Sequence, residues 1–285
     1  MRWILRGLAV LAGLVVLFVA IVYGGSEWMI RRSHAVPEVA IHVPKDAASI
    51  AEGGRQAKIV MCRDCHGANG EGRLLFSDPM FGTVAPPPLA EMAAKLSDAE
   101  LARLIRHGVK ADGSTSFIMP SHSLGHISDD DLGRIIAWIR TLKPGPQDSK
   151  ARTGFGPIGR FLLLTGKLPA MANPANVSTP TRPADIGRYY ASTACLACHK
   201  LHQDGVMEDG TTKVPALAPM AASYDPVAFR ELMRTGRGMG KPDLGLMSVV
   251  ARAGFSAFTD AEIAAVQTYL KGEADKAPAQ VKPAK

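Results

Sequence analysis

Cys62-Arg63-Asp64-Cys65-His66 is matched 133 residues later by Cys195-Leu196-Ala197-Cys198-His199, and the two motifs hold all four cysteines of the 285-residue chain. The same offset pairs Ala51 with Ala184, Gly54 with Gly187 and Arg55 with Arg188. Further on, an offset of 128 pairs Pro87 with Pro215, Leu104 with Leu232, Arg106 with Arg234, Gly108 with Gly236 and Met119 with Met247. An offset of 131 then pairs Asp129 with Asp260 and Trp138 with Tyr269. Matches in one order, separated by small gaps, describe a duplicated domain. The period is far too long for a solenoid, so the chain reads as two units in tandem.

Both units read as helical. Ser49-x-x-Glu52, Ser97-x-x-Glu100 and Thr259-x-x-Glu262 have the form of capping boxes, and Asp225-Pro226 that of an N-cap with Pro at the first helical position. After Ser128, the spacing of Leu132, Ile135, Ile136 and Ile139 predicts a terminal helix, as does that of Ile263, Val266 and Leu270 after Thr259. No stretch alternates as a strand would. Aromatic residues make up 6% of the chain, so units of this length are short of core, and a large apolar group would fill the centre.

The cysteines say what that group is. In C-x-x-C-H two thiols about one helical turn apart can add across the two vinyl groups of a porphyrin, and the adjacent imidazole then reaches the iron; this is the pattern of c-type haem attachment. A zinc site needs four ligands, and each repeat offers two Cys and one His. A dithiol redox motif belongs in a βαβ frame, which is absent here. Four cysteines are too few for a disulfide scaffold. The expected cofactors are two covalently bound haem c groups, one on Cys62, Cys65 and His66, the other on Cys195, Cys198 and His199. For the second axial ligand the candidates are Met119 and Met247, each 11 residues past its paired glycine and each read as part of a loop. Met239 is the alternative in the second copy, and His107, His122 and His126 are rivals in the first.

The net charge of +7 would suit a nucleic-acid surface only if it were gathered on a domain. Instead, residues 1–32 carry +3, 143–183 carry +5 and 271–285 carry +2, while 51–142 and 184–270 carry −1 each. No basic face interleaved with aromatics is visible, which excludes nucleic acid as a partner class. Gly7 to Gly25 is a run of 19 uncharged residues between Arg2, Arg6 and Arg31, Arg32. At 1.5 Å per residue it nearly spans a hydrocarbon core of about 30 Å. A cleaved signal peptide is the alternative; the run is longer than an ordinary h-region and no A-x-A site follows, so an uncleaved anchor is expected.

The two motifs and their Met segments resemble class I c-type cytochromes in tandem, as in membrane-anchored dihaem cytochromes. The resemblance implies an all-α fold, with a few helices around each haem. It assigns Pro87 and Pro215 the carbonyl that receives the N–H of the proximal His, Gly54 and Gly187 the small residue where the first helix crosses the last, and Trp138 and Tyr269 the aromatic on that last helix. Met247 departs from the pattern, being followed by Ser248 rather than Pro.

The expected organisation is an anchor at 1–32, a first cytochrome domain at 33–142, a Pro/Gly-rich linker at 143–183, a second domain at 184–270 and a disordered tail at 271–285. Within the linker, Phe161-Leu162-Leu163-Leu164 is too apolar for a solvated tether and should pack on a haem domain, the membrane or a partner. The expected place is the bacterial inner membrane, spanned once, with the haem domains in the periplasm. His/Met ligation fills both axial positions. The expected role is therefore relay of single electrons to redox protein partners (a membrane dehydrogenase, a larger oxidoreductase complex or a terminal oxidase), not catalysis on a small-molecule substrate. The alternative is a dihaem peroxidase-like enzyme in which one iron lacks a fixed sixth ligand.

Overall fold

The computed structural model describes residues 1–177, 179–207 and 211–276. The chain opens with α1 (Arg2–Arg31), the one helix among the described residues long and apolar enough to cross a membrane. An extended strap follows and buries Val39 against the first domain. That domain comprises α2 (Ala47–Ile59), α3 (Cys62–His66), strands β1 (Phe76–Asp78) and β2 (Gly82–Val84), then α4 (Leu89–Lys95), α5 (Asp98–His107), α6 (Ser121–Leu124) and α7 (Asp129–Thr141). The intervening segment contributes β3 (Gly154–Phe155) and α8 (Pro157–Leu164). The second domain holds α9 (Ile186–Tyr190) running into a π-helical turn (Ala191–Cys195), strands β4 (Gly205–Val206) and β5 (Lys213–Val214), α10 (Leu217–Ala222), α11 (Pro226–Thr235), α12 (Leu246–Ala253) and α13 (Asp260–Lys276). The architecture is all-α, with strands of two or three residues that clip loops together.

Local chemistry explains several helix starts. Ser97 and Glu100 form a reciprocal capping box, as do Thr259 and Glu262 at 2.7 and 3.1 Å. Asp225 accepts from the N–H groups of Val227 and Ala228. The box expected at Ser49 does not form. Asp46 caps α2 by accepting from Ser49 N at 2.8 Å, which places Ser49 inside the helix and releases Glu52 for other partners.

The duplication recurs in three dimensions. In each unit the first helix crosses the last, α2 on α7 and α9 on α13. The middle helix ends at a left-handed glycine, Gly108 (φ 68°) or Gly236 (φ 77°), the conformation that glycine adopts without steric cost. An arginine near that end reaches the start of the last helix: Arg106 to Asp129 at 2.7 Å and Arg234 to Asp260 at 2.9 Å.

The described residues of 143–183 fold against the first domain. β3 extends the β1–β2 hairpin in the antiparallel order β1-β2-β3, Met171 N donates to Ser116 O at 2.9 Å, and Asp129 N donates to Thr179 O at 2.8 Å. The apolar segment forms α8, which packs on α1. At the C-terminus, α13 continues to Lys276, so 271–276 are helical rather than disordered; the remainder of the expected tail, 277–285, lies outside the described residues.

The two domains share one continuous apolar core and a polar seam. Arg55 clasps Glu262 with both terminal nitrogens at 2.8 Å and Glu52 at 2.7 Å. Gln56 donates to the Tyr190 hydroxyl, which donates to Glu262 at 2.6 Å. Tyr189 donates to Asp131 at 2.7 Å. Arg182 joins Asp131 and Glu52 at 2.7 and 3.1 Å. Burial would raise the Glu52 and Glu262 pKa values, but the arginines and their other donors outweigh it and hold both at about 2.

Candidate functional site

The two motifs reach similar geometry by different backbone routes. In the first, α2 ends and Met61 turns the chain sharply. Its φ of 62° makes it the one non-glycine residue with positive φ among those described, a conformation that persists only where the surroundings enforce it. The next turn is α3, carrying Cys62, Cys65 and His66. In the second, α9 widens into a π turn, marked by Leu196 N donating to Ala191 O at 2.9 Å. Extra-wide turns of this kind concentrate at functional sites. Cys195 ends it and Cys198 and His199 follow, the N–H of His199 closing on Cys195 O at 3.1 Å. Cys62 and Cys65 are half-buried, Cys195 is buried and Cys198 exposed. Burial pushes the thiols of Cys62 and Cys195 up to about 12.

Both histidines are oriented alike. His66 Nδ1 lies 2.8 Å from the Pro87 carbonyl oxygen, and His199 Nδ1 lies 2.9 Å from that of Pro215. A carbonyl oxygen only accepts, so Nδ1 carries the proton and Nε2 presents its lone pair. This is the arrangement that fixes ring orientation and raises the basicity of a metal-ligating imidazole. Burial lowers the pKa of both rings, more than the carbonyl bond raises it, which favours the neutral form.

These residues fit a covalent haem. Two thiols on one turn and an imidazole with a directed Nε2 are the donors it needs. Among the described residues no three His, Cys, Asp or Glu side chains gather as a cluster for a bare metal ion.

Met119 and Met247 both lie half-buried against the core, whereas Met239 is 52% exposed. Their settings differ. Met119 stands two residues ahead of α6, in the loop expected. Met247 is not in a loop but in the first turn of α12, which starts at Leu246. The Met119 segment is held from outside: Ser121 Oγ donates to Met171 O, and Asn176 Nδ2 donates to Ser121 O at 2.9 Å and Arg106 O at 2.6 Å. The Met247 segment is held from within. Ser248 is fully buried, and its Oγ donates to Gly236 O at 2.6 Å and accepts from Leu244 N at 2.7 Å. Of the rival ligands, His107 is buried with Nδ1 on Asn173 O at 2.9 Å, while His122 and His126 are exposed.

The helix crossings also differ in detail. A Cβ on Gly53 would overlap the Arg134 carbonyl, so Gly53 rather than Gly54 meets the backbone of α7; Gly54 faces the Trp138 ring. The Arg63 guanidinium stacks on Trp138, 4.8 Å from the ring centroid. In the second domain Gly187 fills the backbone role itself, against the Ala265 carbonyl and Tyr269. The pairing of Arg55, Gln56, Arg182, Tyr189 and Tyr190 with Glu52, Asp131 and Glu262 carried no sequence signal, because partners lie up to 207 positions apart.

Comparison with known proteins agrees with this geometry. Residues 48–139 match the family model described as "Cytochrome C oxidase, cbb3-type, subunit III", and residues 184–273 match that described as "Cytochrome c". Two curated relatives, each an "Alcohol dehydrogenase (quinone), cytochrome c subunit", from Gluconacetobacter polyoxogenes and Komagataeibacter europaeus, are 22% identical over 271 residues. The match covers 82% of this chain and 58% of theirs, so the chain spans little more than half the length of these relatives.

Proposed function

Two cytochrome c domains in tandem make up most of this chain, and from that premise we propose that it is a membrane-anchored dihaem cytochrome relaying single electrons in a periplasmic respiratory or dehydrogenase pathway. The observation that carries the reading is the repeated proximal unit: two thiols, and a histidine whose Nδ1 is tied to a proline carbonyl, built twice in one chain. Cys62, Cys65, His66 and Met119 would hold one haem, and Cys195, Cys198, His199 and Met247 the other. When bound, each haem supplies an iron that exchanges one electron between ferric and ferrous states.

The chain's own residues then do three things. Pro87 and Pro215 orient the imidazoles and raise their basicity. The Met119 and Met247 sulfurs would supply the thioether ligands, which would raise the reduction potential and leave no ligand position for a substrate. The Arg55, Tyr190 and Glu262 seam holds the two domains at a fixed separation, which suits transfer within one chain. That the relatives are cytochrome c subunits of a quinone alcohol dehydrogenase supports a partner of the dehydrogenase kind, with this chain as cytochrome subunit. The uncharged run of α1 supports single-pass anchoring, with both domains on the periplasmic side.

Carbon monoxide tests the closed coordination, because it binds ferrous haem only at an open position. The reduced wild-type protein should bind none at neutral pH, and Met119→Ala and Met247→Ala should each open one haem and lower its potential. Carbon monoxide binding by the wild type, together with turnover of hydrogen peroxide, would favour the peroxidase-like reading. Spectra unchanged in both variants would refute the axial assignment.

A further inference from the structure

The surface around α8 is apolar and uncovered, and it is continuous with the anchor helix. Phe18 of α1 and Phe161 of α8 lie with ring centroids 6.2 Å apart. Leu164 of α8 occupies the space that a Cβ on Gly25 would need. Arg160 donates to Ser26 at 3.1 Å, pairs with Glu27 at 2.9 Å and stacks on Tyr23 at 5.0 Å. Phe18 precedes Gly25, the end of the uncharged run, by seven residues, which is about 10 Å along a helix axis. If α1 crosses a bilayer, Phe161 therefore reaches below the level where the run ends. Arg160, the one charge on α8, is neutralised by Glu27 just beyond that level.

The β1–β2 hairpin lies on the other side of α8. Ile158 N donates to Met80 O at 2.8 Å and Gly156 N to Phe81 O at 3.1 Å. These bonds pin the hairpin tip beside α8, and through α8 beside the anchor. Phe76, Met80, Phe81 and Phe161 are 47, 49, 47 and 42% exposed. Aromatic and thioether side chains left open together on one small hairpin and helix are costly in water and mark an interaction surface. Elements of this kind, lying against a membrane span at its boundary, favour the interfacial layer of the bilayer.

We propose that α8 and the tip of the β1–β2 hairpin form a second, monotopic contact with the bilayer, seating Phe161, Met80 and Phe81 in the lipid interface next to α1. The proposal rests on α1 being an uncleaved span. Its consequence is that the first domain is held in one orientation on the membrane, rather than swinging on a tether. The second domain, locked to the first through the seam, follows it.

Spin labelling tests this on the full, haem-loaded chain, where thioether bonds occupy the native cysteines. Single labels are placed through Met80→Cys, Phe81→Cys, Val227→Cys on the far domain (73% exposed) and Val16→Cys in the anchor. The protein is reconstituted in vesicles of phosphatidylcholine and phosphatidylglycerol, with no other protein present. Power saturation then compares access to oxygen and to a water-soluble nickel chelate. The labels at 80 and 81 should be several-fold less accessible to the chelate, relative to oxygen, than the label at 227. Labels at 80 and 81 as wet as that at 227, with the label at 16 shielded, would overturn the proposal and assign the surface to a protein partner. A wet label at 16 would overturn the anchor reading itself, and the proposal with it.

Discussion

The two cytochrome domains share a plan but are stabilised from opposite directions. The first is wrapped by chain outside the repeat: a strap before α2, β3 beside the hairpin, and the stretch from Met171 to Asn176 over the Met119 segment. The second has no such wrapping among the described residues, and its Met247 segment is held by its own Ser248. The same contrast appears at the ion pair that the two units share. Arg106 is almost fully buried, whereas the side chain of Arg234 is 31% exposed. The comparison teaches that a duplicated unit keeps its helix crossing, its glycine stop and its histidine–proline geometry, while the support of the methionine segment is free to differ. Domain one delegates that support to the linker, and domain two places the methionine at the start of a helix.

The largest effect should fall on what the two domains have in common. Gly53→Ala pushes a methyl into the Arg134 carbonyl and Gly187→Ala pushes one into that of Ala265. Each should destabilise its own domain by about 3 kcal/mol, the upper end for overpacking, read as a lowered Tm of the corresponding haem's spectrum. Equal effects would support a shared crossing. Tolerance of alanine at Gly53 would break it.

A middle-sized effect should separate the two supports. Asn176→Ala removes three hydrogen bonds, to Ser121 O beside Met119, to Arg106 O and from Asn173 Nδ2, and Ser248→Ala removes two at the Met247 segment. With net hydrogen bonds worth about 1 kcal/mol apiece, each variant should lose its own Met–iron absorption band at lower temperature and leave the other unchanged. If Asn176→Ala disturbs the second haem instead, the division between outside and inside support is wrong.

The smallest effect concerns the seam, where the domains meet. Glu52 and Glu262 have folded-state pKa values of about 2, below their usual 4.5. A carboxylate depressed in this way contributes its full stability above the unfolded value. That stability is lost as pH falls from about 4.5 towards 2. Thermal unfolding across this window should show stability falling with acid, and the Glu52→Gln, Glu262→Gln double variant should flatten the slope. An unchanged slope would mean that the seam carries none of the docking.

Much of this was legible in the sequence because its signals are local. The C-x-x-C-H motifs span five residues, and the boxes at Ser97 and Thr259 and the Asp225-Pro226 start reach only three or four. Pro87 and Pro215 could be placed only through resemblance, since nothing in a lone proline names its acceptor role. The misreadings have physical causes. Asp46 outcompeted Ser49 for the cap because it lies one turn earlier. Gly53 and Gly54 are indistinguishable until the rotation of α2 against α7 is known. The π turn before Cys195 leaves no compositional trace. The fold of 143–183 depended on partners in β2, α1 and the Met119 segment, all distant in sequence, so a Pro/Gly-rich composition concealed an ordered wrapping.

The central claim is that this chain carries two equivalent proximal units, each built to hold one haem c. Denaturing the purified full chain in alkaline pyridine and measuring its haemochrome spectrum, with intact-mass analysis of the same sample, tests it most directly. The account expects two covalently bound haems per chain, reduced to one in Cys62→Ala, Cys65→Ala and in Cys195→Ala, Cys198→Ala. One haem or none in the wild type would contradict it.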